Sequence, residues 1–154
     1  MKTLILSLAP ALLVAASAML TIPVAAQSAT APSMNNSALF QSFGSKPGLV
    51  KLMDDFMVRL LADPRTGPHF KPANQQRIKE QLVDQFCATM GGPCVYKGAD
   101  MKSSHDAMDI TKADFNALVE VLQEAMDAQG IPFGAQNQLL ALLAPMHRDV
   151  ITVK

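Results

Sequence analysis

The residues that could do chemistry are few, and most of them gather in one stretch. From Phe86 to His105 the chain reads FCATMGGPCVYKGADMKSSH, which holds both cysteines, the single tyrosine and one of the three histidines. An imidazole serves a metal when one ring nitrogen is open and the other is fixed by a partner. For His105 that partner could be a serine hydroxyl, from Ser103 or Ser104, or a carbonyl one turn earlier. Met101 and Met108 give the ring an apolar side. The same composition also fits a histidine facing solvent. His69, between Pro68 and Phe70, reads as a half-exposed loop residue. His147, beside Arg148 near the end of the last helix, reads as a surface or structural cation where a helix C-terminus favours positive charge.

Other chemistries find little support. No two histidines stand at i and i+4, and none shares a helix with a carboxylate at ligand spacing, so a tetrahedral zinc site is not indicated. There is no serine elbow and no glycine-rich phosphate loop. Cys87 and Cys94 are seven apart, which is not CxxC, and no CxxCH is present to attach haem through sulfur. They flank Gly91-Gly92-Pro93, a turn able to bring them together. A bridge there would contribute about 2.5 kcal/mol in the chain-entropy account, and two buried thiols are the alternative. The 154-residue chain has 13 basic and 13 acidic residues, no basic stripe and no tryptophan, which argues against a nucleic-acid role.

Helices must position these residues. Residues 1–26 read as a secretory signal peptide: Lys2 opens it, an apolar run from Leu4 to Leu20 follows, and small residues allow cleavage after Ala26, with Ala31 as a second site. The run is short for a spanning helix, so no stable membrane insertion is expected once it is removed, and the protein is expected to be secreted or periplasmic. Loss of Lys2 leaves 12 basic against 13 acidic residues. A secreted chain with two cysteines usually pairs them. Residues 27–36 read as a disordered leader and 37–154 as one folded domain.

Within that domain, apolar residues recur at steps of three and four. A short first helix starts at Ser37 and stops at Gly44. A second starts near Ser45 and carries Leu49, Met53, Phe56, Met57, Leu60 and Leu61 up to Asp63-Pro64. A loop around His69 and Phe70 follows. A third helix runs from an Asn74 cap to about Met90, with Ile78, Leu82, Phe86 and Met90 at steps of four, and stops at Gly91-Gly92. One or two turns from Asp100 to Ala107 carry His105. Thr111 and Asp114 resemble a capping box for a helix ending at Gly130, and a last helix, bent at Pro145, runs from about Phe133 to Val150. No strand alternation appears, so the fold class is all-α.

In order and type these features resemble the group I truncated haemoglobins from Ala38 to Val150. The resemblance is carried by DDFMVRLLADPR, PHF, RIKEQLVDQF, GGPCVYKGADMKSSH, ITKADFNALVEVL and LLALLAP. It implies a globin-like, two-over-two helical sandwich around non-covalent haem b, with His105 as the proximal iron ligand. It implies that Phe70 stacks on the haem, and that Phe86, Tyr96, Met101 and Lys102 meet the haem or its propionates. Ile78 and Leu82 would face the haem from the third helix. The Cys87–Cys94 pair looks like a staple added in a secreted branch.

Departures from the family pattern bear on function. Met57 holds the position where the family usually has a tyrosine above the iron. Ile78 and Leu82 hold two positions where glutamines are frequent, and Gln81 is the nearest polar residue that could swing in. Gly44-Ser45 replaces a Gly-Gly pair. Ala107 and Asp109 replace glycines after the proximal histidine, so a more regular helix end is expected there. The resemblance thus implies a protein that reversibly binds a diatomic gas (dioxygen, nitric oxide or carbon monoxide) in an apolar distal pocket, with no residue assigned a catalytic role and an electron donor as a further partner. Nitric oxide dioxygenation and a haem-free helical interaction module are the alternatives. Approach of His69 or Met57 to the iron as a sixth ligand is a further possibility.

Overall fold

The structure, a computed structural model, describes residues 36–153. The expected signal peptide lies outside these residues, as does the expected leader except Asn36, which opens the first helix. The described residues form α1 (Asn36–Ser42), α2 (Ser45–Ala62), α3 (Gly67–Phe70), α4 (Gln75–Thr89), α5 (Met101–His105), α6 (Lys112–Ala128), α7 (Phe133–Leu143) and α8 (His147–Val150). A 3-10 turn, Ala144–Met146, joins the last two. No strand occurs among the described residues, and no helix there is long and apolar enough to cross a membrane.

Local chemistry sets the boundaries. Gly44 and Ser45 both take positive φ, 75° and 56°, to turn the chain into α2. The extended conformation of Asp63, ahead of Pro64, ends α2. Asn74 caps α4 by accepting the Arg77 N–H at 3.0 Å, and Gly91, at φ 70°, follows its end. The Thr111–Asp114 capping box opens α6, and Gly130 (φ 72°) closes it. Pro145 breaks the last helix into α7, the 3-10 turn and α8.

Two expectations are corrected. The segment from Asp63 to Pro72 is not all loop, because Gly67–Phe70 makes a helical turn. The buried Thr66 hydroxyl donates to the Leu60 carbonyl at 2.8 Å, which folds this turn back on the end of α2. The end of α5 is not more regular for lacking glycine. Ala107 and Asp109 take φ 60° and 52°, the left-handed region that glycine enters freely.

α2 is the hub. It packs on α4 along one side and on α6 along another, while α6 meets α7. Leu49, Leu52, Met53, Phe56 and Leu60 from α2 join Val83, Phe86, Cys87 and Met90 from α4 and Val121, Leu122, Ala125 and Met126 from α6 in one apolar cluster. α5 lies outside that cluster and packs on α8.

Candidate functional site

α4 has two working faces. A step of four residues overshoots one helical turn by about 40°, so three such steps rotate the stripe by about 120°. Ile78 and Leu82 accordingly lie half-buried at one end of the stripe, whereas Phe86 and Met90 have turned into the core, 4% and 0% exposed. Phe86 is therefore a core residue beside the buried Cys87. Met57, on α2, is 4% exposed yet stands outside the main cluster. Phe70, at the end of α3, is partly buried against that cluster.

α5 presents His105. The Asp100 side chain caps the helix, accepting the Ser103 N–H at 2.9 Å and the Ser103 hydroxyl at 2.8 Å. These bonds, the backbone N–H first, hold the Asp100 carboxyl below its ordinary value. The His105 ring is half-buried, and Nδ1 lies 2.8 Å from the Met101 carbonyl oxygen. That geometry has Nδ1–H donating to the carbonyl. Nε2 makes no hydrogen bond among the described residues, so its lone pair is available. Of the two partner types, the carbonyl one turn earlier is the one realised. Both serine hydroxyls are used within the helix start, Ser104 donating to Asp100 O at 2.7 Å.

The loop between Gly92 and Asp100 carries no backbone-to-backbone hydrogen bond from residue 93 through 99. It is fixed by points instead. Cys87 and Cys94 are bonded, with Cα atoms 5.7 Å apart. The Tyr96 hydroxyl donates to Ala99 O at 2.8 Å. Gly98 has no space for a Cβ, because the Tyr96 hydroxyl and Gln81 Oε1 sit directly over it. Gln81 Oε1 thus lies against this loop. Burial, and then the Asp100 charge, push the Tyr96 phenol up.

Lys102 is exposed beside Met101 and makes no ion pair among the described residues. His69 Nε2 lies 3.8 Å from Asp114 Oδ1 at the start of α6. The His147 ring meets Phe115 edge-on, with centroids 6.2 Å apart. Sequence reasoning missed Gln85. It is 8% exposed, and its Nε2 lies 3.5 Å from Met101 Sδ and 3.6 Å from Met146 Sδ. Its position, seven after Ile78 and three after Leu82, was the available signal, masked by the more obvious steps of four.

The donor set suits an iron porphyrin. One imidazole is tautomerically fixed with a nitrogen to give, and α4 carries a half-buried apolar face at Ile78 and Leu82. Among the described residues no cluster of three histidine, cysteine, aspartate or glutamate side chains could hold a bare metal ion.

Comparison with known proteins agrees. The bacterial-like globin family profile matches residues 38–152. The group 1 truncated haemoglobin GlbN of Mycolicibacterium paratuberculosis is 31% identical over 115 residues, covering 75% of this chain and 85% of that protein. The group 1 truncated haemoglobin of Tetrahymena thermophila is 28% identical over 60% of this chain and 77% of its own. Among solved structures, the Fe(III) truncated haemoglobin of Tetrahymena pyriformis superposes with a TM-score of 0.70 at 23% identity, covering 73% of this chain and 97% of that one. The 2/2 haemoglobin of Synechococcus sp. PCC 7002 does so with a TM-score of 0.69 at 18% identity and the same coverage. The chain therefore belongs to the bacterial-like globin family, with the two-over-two fold of the truncated haemoglobins and haem b as its non-covalent cofactor.

Proposed function

We propose that this globin binds a diatomic gas at haem iron held by His105, under a distal wall of Met57, Ile78 and Leu82 that favours carbon monoxide and nitric oxide over long-held dioxygen. The observation that carries this reading is the 2.8 Å contact from His105 Nδ1 to Met101 O, which orients the ring and leaves Nε2 for the iron. Haem iron so held offers an open coordination position, and dioxygen takes on negative charge there. Met57, Ile78 and Leu82 present no N–H or O–H to that charge. A charge-assisted hydrogen bond contributes about 1.5–3 kcal/mol, so each missing donor speeds dioxygen release by roughly tenfold to a hundredfold. The same absence counts against nitric oxide dioxygenation, which needs dioxygen to wait for its partner.

The optical spectrum of the haem-loaded protein tests the assignment. Wild type gives a Soret band that shifts with carbon monoxide, and His105→Ala weakens or abolishes it. An unchanged spectrum in that variant sinks the role of His105. Phe70, Tyr96, Met101 and Lys102 are proposed as further haem contacts. Export is proposed from the apolar N-terminal run with its cleavage site, and the bonded Cys87–Cys94 pair suits an oxidising compartment. N-terminal sequencing of the secreted fraction tests it, and a cytosolic, uncleaved product counts against it.

A further inference from the structure

Gln85 is the one buried polar side chain on the face of α4 that carries Ile78 and Leu82. Seven residues return a helix to within about 20° of its starting direction, so Gln85 and Ile78 point the same way. Buried carboxamides ordinarily find strong hydrogen-bond acceptors. The Gln85 amide nitrogen has only two thioether sulfurs, Met101 Sδ at 3.5 Å and Met146 Sδ at 3.6 Å, and thioethers are weak acceptors.

The placement is specific. Gln85 lies one turn beyond Leu82 on α4, and its partner Met101 lies one turn before His105 on α5. One helical turn is about 5.4 Å. With iron held by His105, groups one turn away on both helices would lie nearer the rim of a porphyrin than its centre. The rim of haem b bears methyl, vinyl and propionate groups, and of these only a propionate is a strong hydrogen-bond acceptor.

We propose that Gln85 is a positioning residue, donating from Nε2 to a haem propionate and so fixing how the macrocycle sits between α4 and α5. This rests on haem occupying the slot with His105 as its ligand. An amide donating to a carboxylate makes a charge-assisted bond, stronger than either N–H to sulfur contact it replaces. The competing role is purely structural, with the amide tying α4 to α5 and to the turn at Met146.

Haem b and its dimethyl ester, which lacks both carboxylates, separate the two roles. Wild type, Gln85→Leu and Gln85→Glu are each loaded with both cofactors. Haem loss to excess apomyoglobin is timed, and the two haem orientations are counted from methyl proton resonances. With haem b, Gln85→Leu loses haem about tenfold faster than wild type and shifts the orientation ratio. With the ester, wild type and Gln85→Leu become alike. Gln85→Glu places a carboxylate against the propionate, so it is worse than leucine with haem b and recovers with the ester. Equal loss from wild type and Gln85→Leu with haem b overturns the proposal, and so does a leucine effect that persists undiminished with the ester. Gln85→Met, which refills the volume, is the control if leucine disturbs folding, and it must behave as leucine does. Absence of a Soret band in wild type would refute the haem reading itself, a result distinct from any of these.

Discussion

The two sides of the proposed haem slot are built by different means. The distal side stands on α2 and α4, long helices whose inner faces enter the central apolar cluster. The proximal side stands on α5, five residues long with none fully buried, reached through a loop without backbone ladders. Burial distributes the hold on the distal wall over many side chains. On the proximal side the hold, besides the packing of α5 on α8, is a set of single fasteners: one disulfide, one aspartate cap, one tyrosine hydroxyl and one carbonyl to the histidine ring. A distributed hold loses little when a residue at its edge changes. A fastened one responds to single atoms.

The largest expected effect should come from the distributed side. Phe56→Ala removes a ring that is 2% exposed at the centre of the cluster and should cost about 3–5 kcal/mol of folding stability, read by chemical denaturation. If haem loss changes only in proportion to stability, the two halves are separable as argued; a selective loss of the proximal bond would break the comparison.

Next is the disulfide. Cys87→Ala with Cys94→Ala should lower stability by about 2.5 kcal/mol in the chain-entropy account, and reduction of wild type should do the same. Because the bond ties the loop to the end of α4, haem loss should accelerate more than distal ligand rates change. Equal haem loss in oxidised and reduced protein would show that packing, not the fastener, holds the loop.

Met57→Tyr addresses the distal wall alone. It restores a hydroxyl where the wall has none and should slow dioxygen release by roughly tenfold to a hundredfold, with carbon monoxide release little altered. Flash photolysis of both complexes reads this. No change in dioxygen release would mean that residue 57 does not face the ligand.

The smallest effect concerns the α5 cap. Asp100→Ala should speed haem loss several-fold, while Asp100→Asn, which still accepts the Ser103 N–H, should not. The Asp100 carboxyl is held below its ordinary value of 3.8. Its contribution is therefore complete above about pH 4 and is lost as pH falls through the lower folded value. The asparagine variant should lack that acid-dependent share, as seen in pH titration of haem retention.

The resemblance read the proximal side more easily than the distal one. His105, the Asp100 start, the Gly91-Gly92 stop and the paired cysteines are punctuated by residues whose chemistry is local, and all appear where the sequence puts them. Phe86 shares the steps of four with Ile78 and Leu82, yet the helix rotates beneath them and carries Phe86 into the apolar cluster. Those same steps of four hide Gln85, whereas Gln81 Oε1 lies over Gly98 of the loop. The turns at Ala107 and Asp109 show that a chain held at both ends keeps a left-handed bend without glycine. Each such residue costs about 1–2 kcal/mol, which its surroundings must offset.

By itself the sequence determined the helices, their caps and stops, and the all-α class. Each of these follows from interactions within a few residues along the chain. Only the tertiary structure decided which nitrogen of His105 is tied back to the backbone, that Gln85 is buried against Met101 and Met146 while Gln81 lies against the loop, and that Met57 is buried outside the main core. Those depend on helix rotation and on partners many residues away, which periodicity does not encode.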